Sequence, residues 1–245
     1  MLHFCVSKKQ IREYFSIELL QLFKGKIMNY KAILFGSIGT LIETSELQRN
    51  AFNQAFSENG LDWNWSPAQY QDLLKKSGGR QRIEDFAAHQ GIEVDASKLH
   101  EEKTKIFDEL MVGGGVLLRP GVANFIDQAL DKGIKLAFVT STSKDNVDAV
   151  FQALKNQLHR SNFSFIGNDK MVSNTKPSPD IYLKALSELN LKAEDCVAIE
   201  DTEVSMQSAL AASIKCIGFP GAFAKDNDFS SAILVTDILS FNDLP

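Results

Sequence analysis

The feature that most constrains the fold of this chain is an alternation of short apolar segments with longer amphipathic ones. Beyond residue 119, segments with the length and apolar character of buried strands alternate with segments whose apolar residues recur at helical spacing. Strands joined by helices need crossover connections, and such strands form a parallel sheet with helices on both faces. The sequence therefore predicts an α/β fold built on a doubly wound parallel sheet.

The elements of this sheet are predicted from the same two periods. The predicted strands are Tyr30–Phe35, Lys135–Thr140, Phe163–Ile166, Cys196–Glu200, Lys215–Gly218 and Ala232–Val235. The helices predicted between them are Val122–Lys132, Lys144–Lys155, Pro179–Leu189 and Glu203–Ala212.

Between the first strand and Pro120 the pattern is helical throughout and contains no convincing strand. The predicted helices there are Glu46–Glu58, Pro67–Lys76, Gln81–His89 and Ala96–Leu110. Helices inserted after the first strand should form a cap over the carboxyl edge of the sheet, where ligands of open α/β folds bind. We therefore predict a core of residues 28–44 and 119–245, a helical cap of residues 45–118, and hinges near Thr44–Glu46 and Leu118–Gly121.

The segment of residues 1–27 has apolar residues near helical spacing, surrounded by lysines and an arginine. A membrane-surface helix, a partner-binding helix and a targeting peptide are open interpretations. Acidic Glu13 and Glu18 weaken the targeting interpretation. We favour an N-terminal extension in front of the first strand, which need not be native if translation starts at Met28.

Charge and composition exclude several classes of protein. With 26 Lys and Arg against 31 Asp and Glu, the chain has a formal net charge of -5 and no basic field for nucleic acid. No run of eighteen apolar residues indicates a transmembrane segment. The three cysteines are far apart and suggest neither a disulfide framework nor a zinc site, so we expect a cytoplasmic protein.

Four predicted loops at the carboxyl edge of the sheet carry polar residues, and in this fold they face one crevice. They are Gly36–Leu41, the hydroxyl-rich turn Thr140–Lys144, the proline-stiffened loop Thr175–Pro179, and the end of the strand at Glu200 and Asp201. Hydroxyls at a helix start and a lysine suit a phosphate, whereas adjacent carboxylates suit a cation such as Mg²⁺. Alone, each is more often a helix cap, a loop boundary or a solvated pair, but their joint order favours a binding site.

At these residues the sequence resembles the haloacid dehalogenase (HAD) superfamily, from about Tyr30 to the C-terminus. The neighbourhood of Ser141 is similar to the second motif of that family, Lys176 to the third, and Glu200 with Asp201 to the fourth. Three further segments resemble the cap of its CbbY-like, β-phosphoglucomutase-related branch, which contains Mg²⁺-dependent sugar-phosphate phosphatases. These segments are residues 51–56, 60–65 and 77–83.

The resemblance implies two catalytic aspartates in the loop after the first strand. In the family the first aspartate attacks phosphorus, and the second serves as general acid and base. Here Gly36 and Ile38 stand at those positions, and Gly39 and Thr40 keep the motif in register. Gly36 has no side chain with which to attack, and Ile38 cannot transfer a proton. Ser37 is a weak candidate substitute, because alternation along an extended segment should turn it away from its neighbours.

The resemblance also implies binding roles for residues that the chain retains. It assigns phosphate binding to Ser141, Thr142 and Lys176, and substrate binding in the cap to Arg80 and Arg82, whose alternative is a solvated helix start. It assigns the metal to Glu200, Asp201 and the backbone carbonyl of Ile38, with weakened or absent Mg²⁺ because one carboxylate is missing. Trp63 and Trp65 are expected in the cap core rather than against a sugar.

Three functions follow as hypotheses. The favoured one is a phosphatase scaffold that binds a phosphorylated small molecule, such as a sugar phosphate, with little or no hydrolysis. The second is a working Mg²⁺-dependent phosphatase, and the third is a partner-binding protein with a vestigial site, whose partner the sequence does not identify. Neither the bound molecule nor the oligomeric state is fixed by the sequence.

Overall fold

A computed structural model describes residues 30–75, 78–114 and 116–244, so the predicted extension of residues 1–27 lies outside the described residues. Six parallel strands form one sheet, as predicted. The strands are β1 Ala32–Phe35, β2 Lys135–Phe138, β3 Phe163–Ile166, β4 Cys196–Glu200, β5 Lys215–Gly218 and β6 Leu234–Val235. Their order in the sheet is β3-β2-β1-β4-β5-β6. Three of the six have the predicted ends, and the other three are two residues shorter.

Helices cover both faces of this sheet because β1, at its centre, is buried on both sides. Ala32 and Leu34 of β1 pack in one apolar cluster with the helices after β3 and β4. Phe35 points to the opposite face, where its ring meets the ring of Phe125 edge-on at 6.3 Å. The helices are α1 Ile38–Leu41, α2 Ser45–Glu58, α3 Pro67–Leu73, α4 Gly79–Gln90, α5 Ala96–Gly113, α6 Val122–Asp131, α7 Lys144–Ala153, α8 Asp180–Leu189 and α9 Glu203–Ala211.

Helices α2 to α5 form their own apolar cluster, as expected for the predicted cap. The cluster is centred on aromatic rings, with Phe56 and Trp65 4.7 Å apart and Trp63 packed edge-on against Phe56 at 5.2 Å. Trp65 is fully buried and Trp63 nearly so. The expectation that both tryptophans belong to the core of this segment is therefore confirmed. Residues Tyr30–Phe241 form one compact unit, so the boundaries at 44/45 and 118/119 stay predictions.

The two connections between the helical segment and the sheet are tied together by Arg119. Ile42 and Leu118 form an isolated antiparallel bridge, and the backbone N–H of Arg119 donates to the carbonyl of Leu41. The buried guanidinium donates to the carbonyls of Gly39 at 2.7 Å, Phe219 at 2.8 Å and Pro220 at 2.6 Å. One side chain therefore fixes the loop after β1 against the loop after β5.

No helix among the described residues is both long enough and apolar enough to cross a membrane. The described cysteines, Cys196 and Cys216, are buried free thiols on neighbouring strands. Both belong to the apolar cluster that packs on one face of the sheet.

Candidate functional site

The four polar loops meet as predicted at the carboxyl edge of the sheet. They line a cavity of about 1680 Å³, which we call the crevice. Gly36 to Gly39 come from the end of β1, Thr140 to Ser143 from the end of β2, and Asp201 from the end of β4. The opposite wall is formed by α2, α3, α4 and α5. The topology of the sheet therefore brings polar residues from distant parts of the sequence into one cavity.

The floor of the crevice is a buried network around Glu200. The ammonium of Lys176 lies 2.5 Å from Oε1 of Glu200, and the hydroxyl of Tyr182 donates to the same oxygen at 2.6 Å. Lys176 also donates to the backbone carbonyl of Gly36. Burial raises the pKa of Glu200, while Lys176 opposes that rise. The other carboxylate oxygen of Glu200 is buried without a hydrogen-bond partner among the described residues.

Gly36 is the reason that this network is so compact. A Cβ atom built on Gly36 would overlap the carboxylate of Glu200 and the hydroxyl of Tyr182. The Glu200 side chain therefore occupies the space into which any side chain at position 36 would project. The loop after β1 has no carboxylate that could pair with Lys176, and Lys176 pairs with Glu200 instead.

Ser37 lines the crevice, and its hydroxyl donates to Oδ1 of Asp201 at 2.6 Å. A Cβ atom on Gly36 would face Glu200 and Tyr182 instead, and the expected turn of Ser37 away from both of its neighbours stays a prediction. Ser37 directly precedes the short helix α1, which the sequence analysis did not predict. Burial raises the pKa of Asp201, and the hydrogen bond from Ser37 and the charge of Arg119 oppose that rise.

The turn after β2 places four hydroxyl residues in the crevice wall, which are Thr140, Ser141, Thr142 and Ser143. Ser141 and Thr142 were predicted to bind phosphate, whereas Thr140 was predicted as the end of a strand and the first residue of the hydroxyl-rich turn, without a binding role of its own. Thr140 is buried, and its hydroxyl oxygen accepts a hydrogen bond from the backbone N–H of Thr142 at 3.2 Å. A signal for it exists in the sequence, because a threonine that directly ends a parallel strand lies at the edge where ligands bind.

Cationic side chains from α4 and α5 form the opposite wall. Arg82 is buried, donates to the carbonyl of Leu73 at 3.0 Å and lies near the ring of Tyr70, so it is not part of a solvated helix start. Arg80 is mostly exposed and pairs with Glu84 at 3.4 Å. His100 and Lys103 of α5 join them in lining the crevice, and the sequence analysis missed both.

Lys103 is the most confined of these cations. Its ammonium lies 4.8 Å and 4.9 Å from the rings of Phe52 and Phe107 and donates to the amide of Gln48. Burial, with Arg82 adding to it, lowers the pKa of Lys103 to about 7. Burial and the neighbouring cations also lower the pKa of His100 to about 4. An anion in the crevice would relieve this excess of positive charge.

We expect the variant Lys103→Met to be more stable than the unmodified chain at pH 6. The folded-state pKa of about 7 lies below the ordinary value of 10.5, so the unfolded chain binds more protons between those values and stability rises with pH. Removing the buried charge should raise the free energy of unfolding by about 1–2 kcal/mol at pH 6, and the gain should shrink toward pH 10. Urea denaturation at both pH values measures this, and a loss of stability at pH 6 would contradict it.

Comparison with known proteins identifies the family. Residues 33–219 match the family model of haloacid dehalogenase-like hydrolases. The chain belongs to this family. The protein CbbY of Cereibacter sphaeroides is 41% identical over 210 residues, which cover 84% of this chain and 91% of that protein. The crystal structure of CbbY from Rhodobacter sphaeroides with phosphate has a TM-score of 0.79 at 40% identity, covering 88% of this chain and 96% of that one.

A second CbbY structure, of a variant bound to xylulose-(1,5)bisphosphate, has the same TM-score of 0.79, the same 40% identity and the same coverage. The resemblance to the CbbY-like branch, stated from the motifs, is therefore confirmed, and so is the doubly wound fold. These likenesses cover both the sheet and the helical segment, because the matched regions span most of each chain.

Phosphatases of this superfamily generally use Mg²⁺, and the crevice can be tested for such a site. Across the described residues, no three His, Cys, Asp or Glu side chains are grouped so that they could hold a metal ion. Glu200 is held by Lys176 and Tyr182, and Asp201 by Ser37. Mg²⁺ prefers a near-octahedral set of oxygen ligands. The two carboxylates as arranged do not fit such a set of ligands.

Proposed function

We propose that this protein binds a phosphorylated small molecule, a sugar phosphate, in the crevice and hydrolyses it slowly or not at all. The observation that supports the proposal is the sequence of the loop after β1, in which Gly36 and Ile38 stand at the positions that the family resemblance assigns to two aspartates. Without those aspartates the loop has no carboxylate to attack phosphorus or to transfer a proton to the leaving oxygen. The Glu200 carboxylate fills the space beside Gly36, but it is fully buried and paired with Lys176.

The binding half of the site supports the first part of the proposal. Lys176 and the turn Thr140–Thr142 offer donors for one phosphate at the sheet edge, and donors bind phosphate without needing a nucleophile. Arg80, Arg82 and Lys103 offer positive charge on the opposite wall. A molecule with anionic groups at both ends fits this arrangement of charge, and CbbY has been crystallised with xylulose-(1,5)bisphosphate.

The metal and the location complete the proposal. We infer that Mg²⁺ binds weakly or not at all, because Glu200 and Asp201 both have protein partners and the family's third carboxylate is missing. The buried free thiols Cys196 and Cys216 are compatible with a cytoplasmic location. Protein partners stay unassigned.

A working phosphatase is the second candidate, and the 41% identity to CbbY favours it. In that case a group other than an aspartate of the β1 loop performs the chemistry. Ser37, hydrogen-bonded to Asp201, is the residue of that loop with a suitable hydroxyl. The two candidates differ in one observable, which is release of inorganic phosphate.

The test is a thermal-shift panel of sugar phosphates and sugar bisphosphates, run beside an assay for released phosphate. We expect one or more of these compounds to raise the melting temperature while no phosphate is released, because ligands that bind only the folded state stabilise it. A matched panel of the unphosphorylated sugars is the control and should have no effect. If no phosphorylated compound raises the melting temperature, the protein is not a phosphate-binding scaffold and a partner-binding role becomes the better account.

A further inference from the structure

A hydrogen-bonded chain crosses from the helical segment to the sheet beside the crevice. It begins at Asp108, a half-buried residue on α5, and reaches Asn146 on α7. The amide of Asn146 donates to the two carboxylate oxygens of Asp108 at 2.8 and 3.2 Å when its oxygen accepts from the hydroxyl of Thr142 at 2.7 Å. We adopt this orientation because the opposite one sets the amide oxygen against the carboxylate.

The direction of these bonds fixes which protons remain for a ligand. The hydroxyl proton of Thr142 is used by Asn146, and the backbone N–H of Thr142 donates to the hydroxyl oxygen of Thr140. The carbonyl of Thr142 accepts from the backbone of Asp169 at 2.8 Å, which holds the turn in place. Within the described residues the hydroxyl proton of Thr140 has no acceptor, and Thr140 lines the crevice.

We propose that Asp108 and Asn146 are positioning residues, which act through Thr142 to aim the hydroxyl proton of Thr140 at a phosphate in the crevice. This inference rests on the phosphate binding proposed above and extends it to a residue that does not touch the ligand. Thr142 then contributes by linking Asn146 to Thr140 through hydrogen bonds, and Thr140 is the threonine that contacts the phosphate. The affinity for phosphate at the sheet edge therefore depends on a side chain of the opposite wall.

Because Asp108 is negatively charged, a positioning role and an electrostatic role predict opposite changes in phosphate affinity when Asp108 is truncated. Asp108 faces Lys103 on its own helix and Asp145 on α7, and its burial raises its pKa to about 6. Its negative charge by itself repels phosphate, so a purely electrostatic role predicts tighter binding when the charge is removed. Positioning of Thr140 predicts weaker binding when Asp108 is truncated, and no loss when its accepting oxygen is kept.

The experiment measures the affinity of the unmodified chain and six variants for inorganic phosphate by calorimetry at a pH of about 8, well above the raised pKa of Asp108. We expect Asp108→Ala to weaken binding about fivefold, which is the effect of losing one hydrogen bond. Asp108→Asn should bind like the unmodified chain, because its amide oxygen still accepts from Asn146. Asp145→Asn is the matched charge control and should bind phosphate as well as or better than the unmodified chain.

Thr142→Val is the second test. It breaks the hydrogen-bonded chain one step nearer to Thr140, so it should weaken phosphate binding by itself, and adding Asp108→Ala should cause no further loss. Asn146→Leu removes the middle of the hydrogen-bonded chain and should give the same loss of binding, which keeps the test available if Asp108→Ala fails to fold. Equal or tighter binding by Asp108→Ala, or full additivity with Thr142→Val, overturns the proposal while leaving phosphate binding intact. No binding by the unmodified chain refutes the proposed function itself.

Discussion

The double variant Gly36→Asp/Ile38→Asp should release phosphate from a sugar phosphate in the presence of Mg²⁺, whereas the unmodified chain should not. The two substitutions supply the nucleophile and the acid/base group that the family motif contains and this loop lacks. A positioned acid/base group alone contributes about 10² to 10⁴ in rate, so the difference between the two proteins should exceed a hundredfold, on the order of what that group provides.

The aspartate at position 36 can enter only if Glu200 moves, because a side chain there overlaps the Glu200 carboxylate. Both obstructing groups, the carboxylate of Glu200 and the hydroxyl of Tyr182, are ends of side chains rather than backbone, so rotation can relieve the overlap. The new carboxylate can then take over Lys176 as its partner, which leaves Glu200 and Asp201 beside a third carboxylate.

The matched control is Gly36→Asn/Ile38→Asn, which has the same side-chain shapes without a nucleophile or an acid. It should fold as the aspartate variant does and release no phosphate. Phosphate release is measured for both at several Mg²⁺ concentrations. If the aspartate variant folds but releases no phosphate, the roles that the family resemblance assigns to Lys176, Glu200 and Asp201 are incorrect.

The variant Lys176→Met should lose both stability and ligand binding. Lys176 and Glu200 are paired at 2.5 Å with side chains 8% and 0% exposed, so removing the lysine leaves a buried carboxylate without its cation. Breaking a buried pair in this way typically costs about 3–5 kcal/mol. The melting temperature should therefore fall, and sugar phosphates should no longer raise it.

Two further measurements separate the causes of that loss. Lys176→Met/Glu200→Gln removes both charges and should recover much of the stability without recovering ligand binding. The pKa of Glu200 is already raised by burial, so without Lys176 the folded state holds a proton that the unfolded state releases. The stability of Lys176→Met should therefore fall as pH rises above the ordinary carboxyl range. Full ligand binding by the double variant would contradict the phosphate-binding role of Lys176.

The fold could be predicted from the sequence because its signals are periodic. The strands β3, β4 and β5 have the predicted ends, since each is a short apolar run between clear helix patterns. The short helix α1 was missed because four residues contain too little of a helical period to be recognised.

The candidate site could be predicted only in part, for reasons of tertiary packing. The residues at strand ends are adjacent to recognisable strands, so their common location follows from the sheet. Lys103 and His100 lie on an amphipathic helix, where charged residues usually face solvent, and only the packing of α5 turns them into the crevice. The entry of Glu200 into the space beside Gly36 depends on side-chain conformations that no local pattern encodes.

The central claim is that this crevice binds a phosphorylated sugar without cleaving it. The most direct test follows the phosphorus resonances of a sugar bisphosphate mixed with the unmodified protein and Mg²⁺, beside Lys176→Met as the control. We predict that the ligand signals broaden or shift with the unmodified protein but not with Lys176→Met. We also predict that no inorganic phosphate signal appears over many hours. Growth of an inorganic phosphate signal in proportion to the unmodified protein, absent with Lys176→Met, would contradict the account and establish a working phosphatase.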